Sequence, residues 1–461
     1  MLFIWPGVMY WLYRRLPADR ALIWSILGGY LILPPVISLD LPVVPDLGKN
    51  SIPALTAAAL VLLVRKERLP VLPDGWVGRV LIALFVLSPF ATVLTNGEPL
   101  PKGLHDELSP MKVYDSVAAV TNQAIEVLPF FLARRYLASA ASIRTLLTIL
   151  LVAGLAYTIP MLIEIRLSPQ LNVWIYGYFQ HDFLQTIRFG GYRPVVFLPH
   201  GLWVALFAVI AAVSGLALAK EGPASIRPKL VFATLWMFAV LVLAKSTGAL
   251  IYAALLVVLV LGLPRRGQVI VAAVLAAVVI TYPLLRGAHL VPLDPLMAMA
   301  ERISPERAHS LQFRIDNEES LLARASEKPL LGWGGYGRSM LYDPISGERI
   351  SVADGAWIII LGTYGWLGYI ALFGLLVLPL LKLGREAMAP GAVLTGPVAA
   401  LSLIVAVNLV DLLPNATLVP LSWLLAGAIM GHAELMATAR RAAAAEARRR
   451  GPWPRQQRTV L

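Results

Sequence analysis

The chain has 461 residues, of which 58% are hydrophobic and only 14% charged, and its mean hydropathy is +0.73. A soluble domain is about half apolar and about a quarter charged, so this composition predicts an all-α polytopic membrane protein. The absence of cysteine excludes disulfides, thiolate metal sites and a cysteine nucleophile.

A transmembrane helix needs about twenty apolar residues, and about thirteen candidate runs follow one another along the chain. They lie at roughly 2–13, 21–38, 51–64, 80–95, 114–133, 145–163, 195–219, 230–244, 247–263, 268–285, 355–381, 391–411 and 416–432. We therefore expect twelve or thirteen transmembrane helices. The first run is short, and neither a basic segment before it nor a small-residue cleavage site after it indicates a signal peptide, so we expect a membrane element there.

The basic residues lie mainly in alternate connections between these runs and in the C-terminal tail, which together hold 24 of the 39 lysines and arginines. The positive-inside rule places these connections in the cytoplasm. This distribution explains the formal net charge of +12 without a nucleic-acid partner. The large loop 286–354 and the shorter loop 164–194 then fall on the opposite, outer face.

We therefore expect four parts along the chain. They are transmembrane helices with the outer loop 164–194 in residues 1–285, a large and partly helical outer loop at 286–354, transmembrane helices at 355–432 and a basic cytoplasmic tail at 433–461. Residues 440–458 of the tail are expected to form a helix near anionic headgroups or a solvated positive segment.

Two arginines stand out in the shorter outer loop, where Arg188 and Arg193 flank a Gly-Gly turn at the mouth of a span. Planar guanidinium groups bind phosphate oxygens and keep their charge, and on the outer face this pattern suggests a lipid-linked diphosphate. The alternative is that these arginines pair with Glu164 or Asp182 and hold the loop together.

Two further polar residues lie where the surroundings are apolar. Lys245 occupies a tight hairpin at residues 243–248, where an unpaired ammonium is costly, so we expect either Asp411 or Glu164, or a bound phosphate, as its partner. His200 is predicted to lie about two turns inside a span, either as a functional group or hydrogen-bonded to a carbonyl.

The large outer loop collects charge, aromatic rings and glycine. Arg314 and Glu319 lie on a predicted amphipathic helix whose apolar side, with Phe313, Leu321 and Leu322, rests on the membrane domain. The aromatic turn at residues 332–338 carries Trp333, Tyr336 and Arg338, which either pack against a sugar chain or mark the membrane surface.

Asp354 stands at the top of the next span. A carboxylate there either caps the helix or orients or deprotonates a sugar hydroxyl.

Taken together, residues 140–380 resemble the O-antigen ligase and Wzy-type polysaccharide polymerase superfamily, most closely its exopolysaccharide polymerase branch. The resemblance rests on the arginine pair entering a span, Lys-Ser-Thr-Gly at 245–248, the arginine-bearing loop helix and Pro-Leu-Leu-Gly-Trp-Gly at 329–334. It implies an inverting, metal-independent glycosyl transfer that needs no cofactor. The implied donor is an undecaprenyl-diphosphate-linked oligosaccharide, used at the periplasmic face of the bacterial inner membrane.

The resemblance also implies roles for individual residues. Arg188, Arg193 and Lys245 would hold the diphosphate, and Arg314 would assist as the arginine of the loop helix. Our own mechanistic hypothesis, from the chemistry of a diphosphate lipid donor, is that Asp354 or Glu319 handles the acceptor, with His200, Trp333, Tyr336 and Arg338 as supporting residues. The sequence departs from the ligases at one point, because they carry a histidine near the end of the large loop where this chain has Asp354.

Other functions stay open at this stage. An O-antigen ligase that transfers glycan to lipid A-core differs only in its acceptor. A flippase or exporter of lipid-linked glycans more often shows inverted repeats and charges on both sides of the midplane. A non-catalytic subunit would associate with other polysaccharide-assembly proteins in the lipid bilayer, and its loop charges would tolerate substitution.

Overall fold

The computed structural model describes residues 1–41, 44–303 and 305–449, and it is built almost entirely of helices. The helices are α1 (Trp5–Arg15), α2 (Ala18–Ile32), α3 (Ser51–Leu63), α4 (Trp76–Leu94), α5 (Val113–Glu126), α6 (Leu128–Tyr136), α7 (Ala140–Leu167), α8 (Leu171–Tyr176), α9 (Gly201–Glu221), α10 (Arg227–Leu243), α11 (Thr247–Gly262), α12 (Arg265–Gly287), α13 (Leu293–Ile303), α14 (Pro305–Glu327), α15 (Ala356–Ala387), α16 (Gly396–Asp411) and α17 (Pro420–Arg449). Three antiparallel pairs of strands complete the fold: β1 (Ser38–Leu41) with β2 (Val44–Gly48), β3 (Leu100–Pro101) with β4 (Glu107–Leu108), and β5 (Ile187–Arg188) with β6 (Gly191–Tyr192).

The predicted class of all-α polytopic membrane protein is confirmed. Within the described residues, six helical segments are long and apolar enough to cross a bilayer: α4, the α5–α6 pair, α7, α9, α12 and α15. Helices α3, α11 and α16 are apolar but shorter, so the count of twelve or thirteen spans stays a prediction. Helix α17 continues through residue 433 to Arg449, and residues 450–461 of the predicted tail lie outside the described residues.

Helix α9 lies at the centre of the bundle and packs against α7, α10, α11 and α16. Its sequence is apolar on every face and rich in alanine, valine and glycine, which lets neighbouring backbones approach closely. Gly215, for example, would place a Cβ only 2.6 Å from Oγ1 of Thr234 on α10. The N-terminus of α9 at Gly201 therefore provides a rigid base for the groups around it.

The large loop is joined to the membrane helices by a break in α15. Gly365 has a φ of +62° inside this helix, and the segment 329–334 docks at the break: Trp366 N donates to Pro329 O at 2.7 Å, and Gly334 N donates to Thr363 O at 2.9 Å. Backbone groups at the break are thus hydrogen-bonded to the backbone of the large loop. The Pro-Leu-Leu-Gly-Trp-Gly motif is a structural joint.

The predicted amphipathic helix of the loop is α14, which packs on α15. Leu321 and Ala325 on its apolar side are 4% and 3% exposed. Phe313, predicted for the same side, is instead 49% exposed, so it does not contribute to the buried contact.

We expect Gly332→Ala to destabilise the protein by about 2 kcal/mol or more, because it combines a left-handed φ with a clash. Gly332 has a φ of +70°, and a Cβ there would lie 2.5 Å from the backbone of Thr363. Gly335→Ala is the matched control, since a Cβ at Gly335 meets nothing within 4 Å. Thermal unfolding in detergent would measure both, and equal melting temperatures would contradict the role of the joint.

Candidate functional site

A cavity of about 710 Å³ opens beside the N-terminus of α9. It is lined by the segment that precedes this helix, the α10–α11 hairpin, α14, the start of α15 and the connection between α16 and α17. Five of the predicted site residues line it together: Arg188, Arg193, His200, Arg314 and Asp354. They come from sequence positions more than 160 residues apart.

The two arginines of the shorter loop are positioned by the β5–β6 hairpin. Its turn has positive φ at Phe189 (49°) and Gly190 (67°), which suits the twist of a tight antiparallel pair. Arg188 pairs in register with Gly191. The Arg193 side chain then runs along the start of α9, where a Cβ at Gly201 would come within 2.3 Å of its Cδ.

The charge of this arginine pair is not neutralised by nearby acids. Among the described residues, no carboxylate lies within 4.0 Å of Arg188 or Arg193. The Nη2 of Arg193 donates to Lys245 O at 3.4 Å, while its buried Nε has no hydrogen-bond partner. Burial, with repulsion from Arg188, lowers the pKa of Arg193 to about 10, so Arg193 remains cationic near neutral pH.

The alternative in which Glu164 or Asp182 pairs with these arginines is wrong. Glu164 is buried and accepts hydrogen bonds from Val195 N (2.8 Å) and Val196 N (2.7 Å). Asp182 caps a short turn by accepting from Leu184 N at 3.0 Å. Glu164 therefore fixes the irregular segment between the arginine hairpin and α9, where backbone amides would otherwise be buried without acceptors.

Lys245 lies behind the arginine hairpin and does not line the cavity. Its Nζ donates to Phe189 O at 3.1 Å and would meet a Cβ at Gly191 within 2.3 Å. Neither predicted carboxylate partner is used, because Glu164 binds backbone amides and Asp411 accepts from Asn415 (2.8 Å) and Thr417 (2.6 Å). Lys245 thus adds positive charge next to Arg193 while supporting the hairpin.

The predicted depth of His200 is wrong. The span begins at Gly201, and His200 is its N-cap, with Nδ1 accepting from Leu202 N at 2.9 Å. Six residues of the apolar run 195–219 are therefore not helical, and Glu164 accepts hydrogen bonds from the amides of the first two, Val195 and Val196. Burial, the neighbouring His181 and the arginines lower the pKa of His200 to about 3. The ring is neutral, and because Nδ1 is an acceptor, its proton is on Nε2.

Arg314 and Asp354 form the opposite wall of the cavity. Nε of Arg314 lies 3.3 Å from Oδ2 of Asp354, and its Nη1 donates to Pro414 O at 3.3 Å. Both side chains are more than a third exposed, so they remain accessible to a ligand. Asp354 does not cap α15, whose N-cap is Gly355 without a side-chain hydrogen bond.

The remaining predicted site residues lie elsewhere. Glu319 is 63% exposed and sits 3.7 Å from Arg286. Trp333 is buried beneath Arg324, whose guanidinium lies 3.4 Å from the ring centre, and Arg338 is fully buried and donates to the carbonyls of Trp333, Ser109 and Glu98. These last two residues support the loop, whereas Tyr336 lines a separate cavity.

The cavity beside the N-terminus of α9, which holds Arg188, Arg193 and Arg314, is called the basic cavity below. Sequence reasoning missed several of its groups. Gln180, His181, Gln185 and Asn415 also line it. The first three precede the arginine pair in the same polar loop, which was a usable signal. Asn415 lies in a short connection between two apolar helices, where only the three-dimensional structure reveals its proximity to Arg314.

An apolar groove of about 580 Å³ was also not predicted. Helices α10 and α11 both pack on α9 but separate from each other, and residues such as Phe238, Ala254 and Val258 line the gap. The groove residues nearest the α10–α11 hairpin are Val242 and Leu250. They lie within about one helical turn of Ser246 and Gly248, which line the basic cavity. A basic cavity and an apolar groove thus meet at one hairpin.

No family model matches this chain, and no curated protein matches it at a significant level. The chemistry of the site is therefore inferred from its own residues. Three guanidinium groups and one carboxylate stand at the end of an apolar groove, an arrangement that suits an amphiphile with an anionic head.

We expect the wild type to be more acid-sensitive than His200→Asn, which keeps a capping acceptor but does not titrate. The folded pKa of His200, about 3, is below the unfolded value of about 6.5, so the unfolded state binds more protons between these values. Lowering the pH from 7 to 5 should cost the wild type about 2 kcal/mol more than the variant. Parallel melting curves of the two proteins against pH would test this, and superimposable curves would contradict it.

Proposed function

We propose that the protein is a membrane glycosyltransferase that polymerises, or transfers, undecaprenyl-diphosphate-linked oligosaccharide units. The observation that carries this proposal is the cavity in which Arg188 and Arg193 stand without a carboxylate partner among the described residues. A guanidinium pair that is not neutralised, with Arg193 partly buried and Arg188 exposed beside it, favours binding of a multiply charged anion. A diphosphate supplies that charge, and its oxygens can accept paired hydrogen bonds from the planar guanidinium groups.

The apolar groove supports a lipid as the carrier of this diphosphate. A polyprenyl chain placed between α10 and α11 would contact Leu235, Val257 and Leu261, all of which line the groove. Its head would then reach the α10–α11 hairpin, where the basic cavity begins. A soluble sugar nucleotide would leave this groove unused.

The proposed reaction is a single displacement with inversion. The acceptor hydroxyl oxygen attacks the anomeric carbon of the donor, the bond from that carbon to the diphosphate oxygen breaks, and the lipid diphosphate leaves with the bonding electrons. Asp354 accepts the hydroxyl proton and is held in place by Arg314. Fixed cations stabilise the leaving diphosphate, and this electrostatic contribution to catalysis is usually large.

The membrane orientation belongs to the same proposal. The cavity lies at the Gly201 end of α9, whereas the opposite end carries the ion pair between Glu221 and Arg265 at 2.7 Å. We assign the latter end to the cytoplasm by the positive-inside rule. The cavity then faces the periplasm across the bacterial inner membrane, and the C-terminus is cytoplasmic.

The decisive experiment uses the purified protein in lipid bilayers, supplied with the lipid-diphosphate repeat unit alone, with products sized on a gel. A ladder of longer lipid-linked chains is expected of a polymerase. Product that forms only after lipid A-core is added would identify a ligase. Absence of product with both acceptors would overturn glycosyl transfer in favour of transport or a non-catalytic role.

We expect Arg193→Ala to lower product formation about 100-fold, the scale seen when one donor to a developing negative charge is removed. Arg349→Ala is the matched control, since Arg349 is an exposed arginine of the large loop that lines none of the cavities described above. Initial rates on the gel assay would compare them. Equal losses in both variants would indicate a general charge effect rather than diphosphate binding.

We expect Ala254→Phe to raise the KM for the lipid-linked donor about fivefold with little change in kcat. The ring would occupy the groove and remove contacts made equally in the ground and transition states. Ala277→Phe on α12, also an exposed position on an apolar helix, is the control. A donor with a shortened lipid should show a smaller difference between wild type and Ala254→Phe.

A further inference from the structure

A second cavity, of about 380 Å³, opens on the same outer part of the molecule and has the opposite character. Tyr114 and Asp115 at the start of α5, Tyr336 of the large loop and Tyr364 of α15 line it, together with Asp40 and Asp46 from the β1–β2 hairpin. Its volume is in the range of small-molecule pockets. We call it the tyrosine–aspartate cleft.

The cleft presents a ring in a fixed position. Tyr336 is 73% exposed, and its hydroxyl donates to Oδ1 of Asp115 at 3.3 Å. The other oxygen of Asp115 accepts from Lys112 N at 2.7 Å, so the carboxylate is held at both ends. The chain just before Tyr336 is anchored to the break in α15 through Gly334. The ring face is therefore available to a ligand without being mobile.

The cleft is acidic, whereas the basic cavity is lined by arginines. Three aspartates line it, and among its described lining residues there is no lysine or arginine. Such a site repels anions, including the diphosphate. Carboxylate and tyrosine oxygens accept hydrogen bonds from hydroxyl groups, and a tyrosine ring offers an apolar face.

The tyrosine–aspartate cleft shares one lining residue with a smaller cavity. Asn122 of α5 lines both the tyrosine–aspartate cleft and a smaller cavity of about 240 Å³. That smaller cavity is also lined by Leu418, in the α16–α17 connection whose Asn415 lines the basic cavity, and by Pro420 at the start of α17. The α16–α17 connection therefore runs from the basic cavity to the smaller cavity that borders the cleft.

We propose that the tyrosine–aspartate cleft binds uncharged sugar rings of the glycan and discriminates against rings that carry a carboxylate or phosphate. Hydroxyl groups donate to Asp115 and its neighbouring aspartates, and the apolar face of a ring packs on Tyr336. This assignment rests on the proposed function, which supplies the glycan as the occupant. It adds that the substrate is uncharged in the part that reaches the cleft.

The test measures binding without requiring catalysis. Full-length protein in lipid nanodiscs is applied to an array of neutral and uronate-containing oligosaccharides of bacterial type. We expect binding to be confined to neutral members and to weaken about fivefold in Tyr336→Ala, which loses the stacking face. Tyr336→Phe keeps the ring and should bind nearly as well as the wild type. Failure of every neutral oligosaccharide to bind would overturn the assignment.

Asp115→Asn tests the electrostatic part of the proposal. Asparagine keeps the shape and the helix-capping acceptor but loses one acceptor oxygen, so neutral oligosaccharides should bind more weakly, while binding of uronate-containing ones should rise about fivefold relative to neutral ones as repulsion falls. Equal binding of neutral and uronate glycans to the wild type would overturn the claimed selectivity.

Arg193→Ala separates this inference from the proposed function. It should abolish binding of a short-chain lipid diphosphate and leave oligosaccharide binding unchanged. If the wild type binds oligosaccharides through Tyr336 but no lipid diphosphate, the cleft assignment stands and the proposed donor is wrong. If lipid diphosphate binds and oligosaccharides do not, the cleft assignment alone is wrong.

Discussion

The position of the basic site depends on which partners the buried carboxylates already have. An unpaired charge within an apolar helical bundle is costly, and most acids near the site are satisfied locally: Glu164 by the amides of Val195 and Val196, and Asp411 by Asn415 and Thr417. The nearby arginine pair is left without an acid at ion-pair distance among the described residues. The same carboxylate that leaves the arginines unneutralised also fixes the backbone that carries them. Glu164 therefore affects both the backbone conformation before α9 and the charge of the arginine pair.

The break in α15 plays a comparable part for the large loop. Gly365 interrupts the helix, and the loop's backbone completes the hydrogen bonds that the break leaves open. Residues on either side of this joint are thereby positioned relative to the bundle. Arg314 on α14 lines the basic cavity, and Tyr336 lines the tyrosine–aspartate cleft. Two sites of opposite charge are thereby attached to the same bundle through backbone contacts of the large loop.

Much of this architecture could be predicted from the sequence, because apolar runs report burial directly. The class, the loop helix and the convergence of Arg188, Arg193, His200, Arg314 and Asp354 followed from apolar periodicity, charge placement and the resemblance. The irregular segment before α9 did not, since an apolar run does not reveal that Glu164 binds two of its amides or that the helix begins only at Gly201. Trp333 and Arg338 were predicted as ligand-binding groups because composition does not show whether a side chain is exposed. Trp333 is buried under Arg324, and Arg338 is buried against backbone carbonyls. The apolar groove depends on the angle between two helices, which no local pattern encodes.

The separation of α10 and α11 determines how a ligand encounters the protein. Side chains at the rim of the groove, such as Val258 and Leu235, are more than 60% exposed, and in the proposed membrane orientation the groove opens sideways to hydrocarbon rather than upwards to water. The proposed lipid-linked donor would then enter without leaving the bilayer and would arrive by diffusion in two dimensions. Its effective concentration is its mole fraction among lipids, so dilution with inert lipid at constant volume would slow the encounter, whereas dilution of the aqueous phase would not.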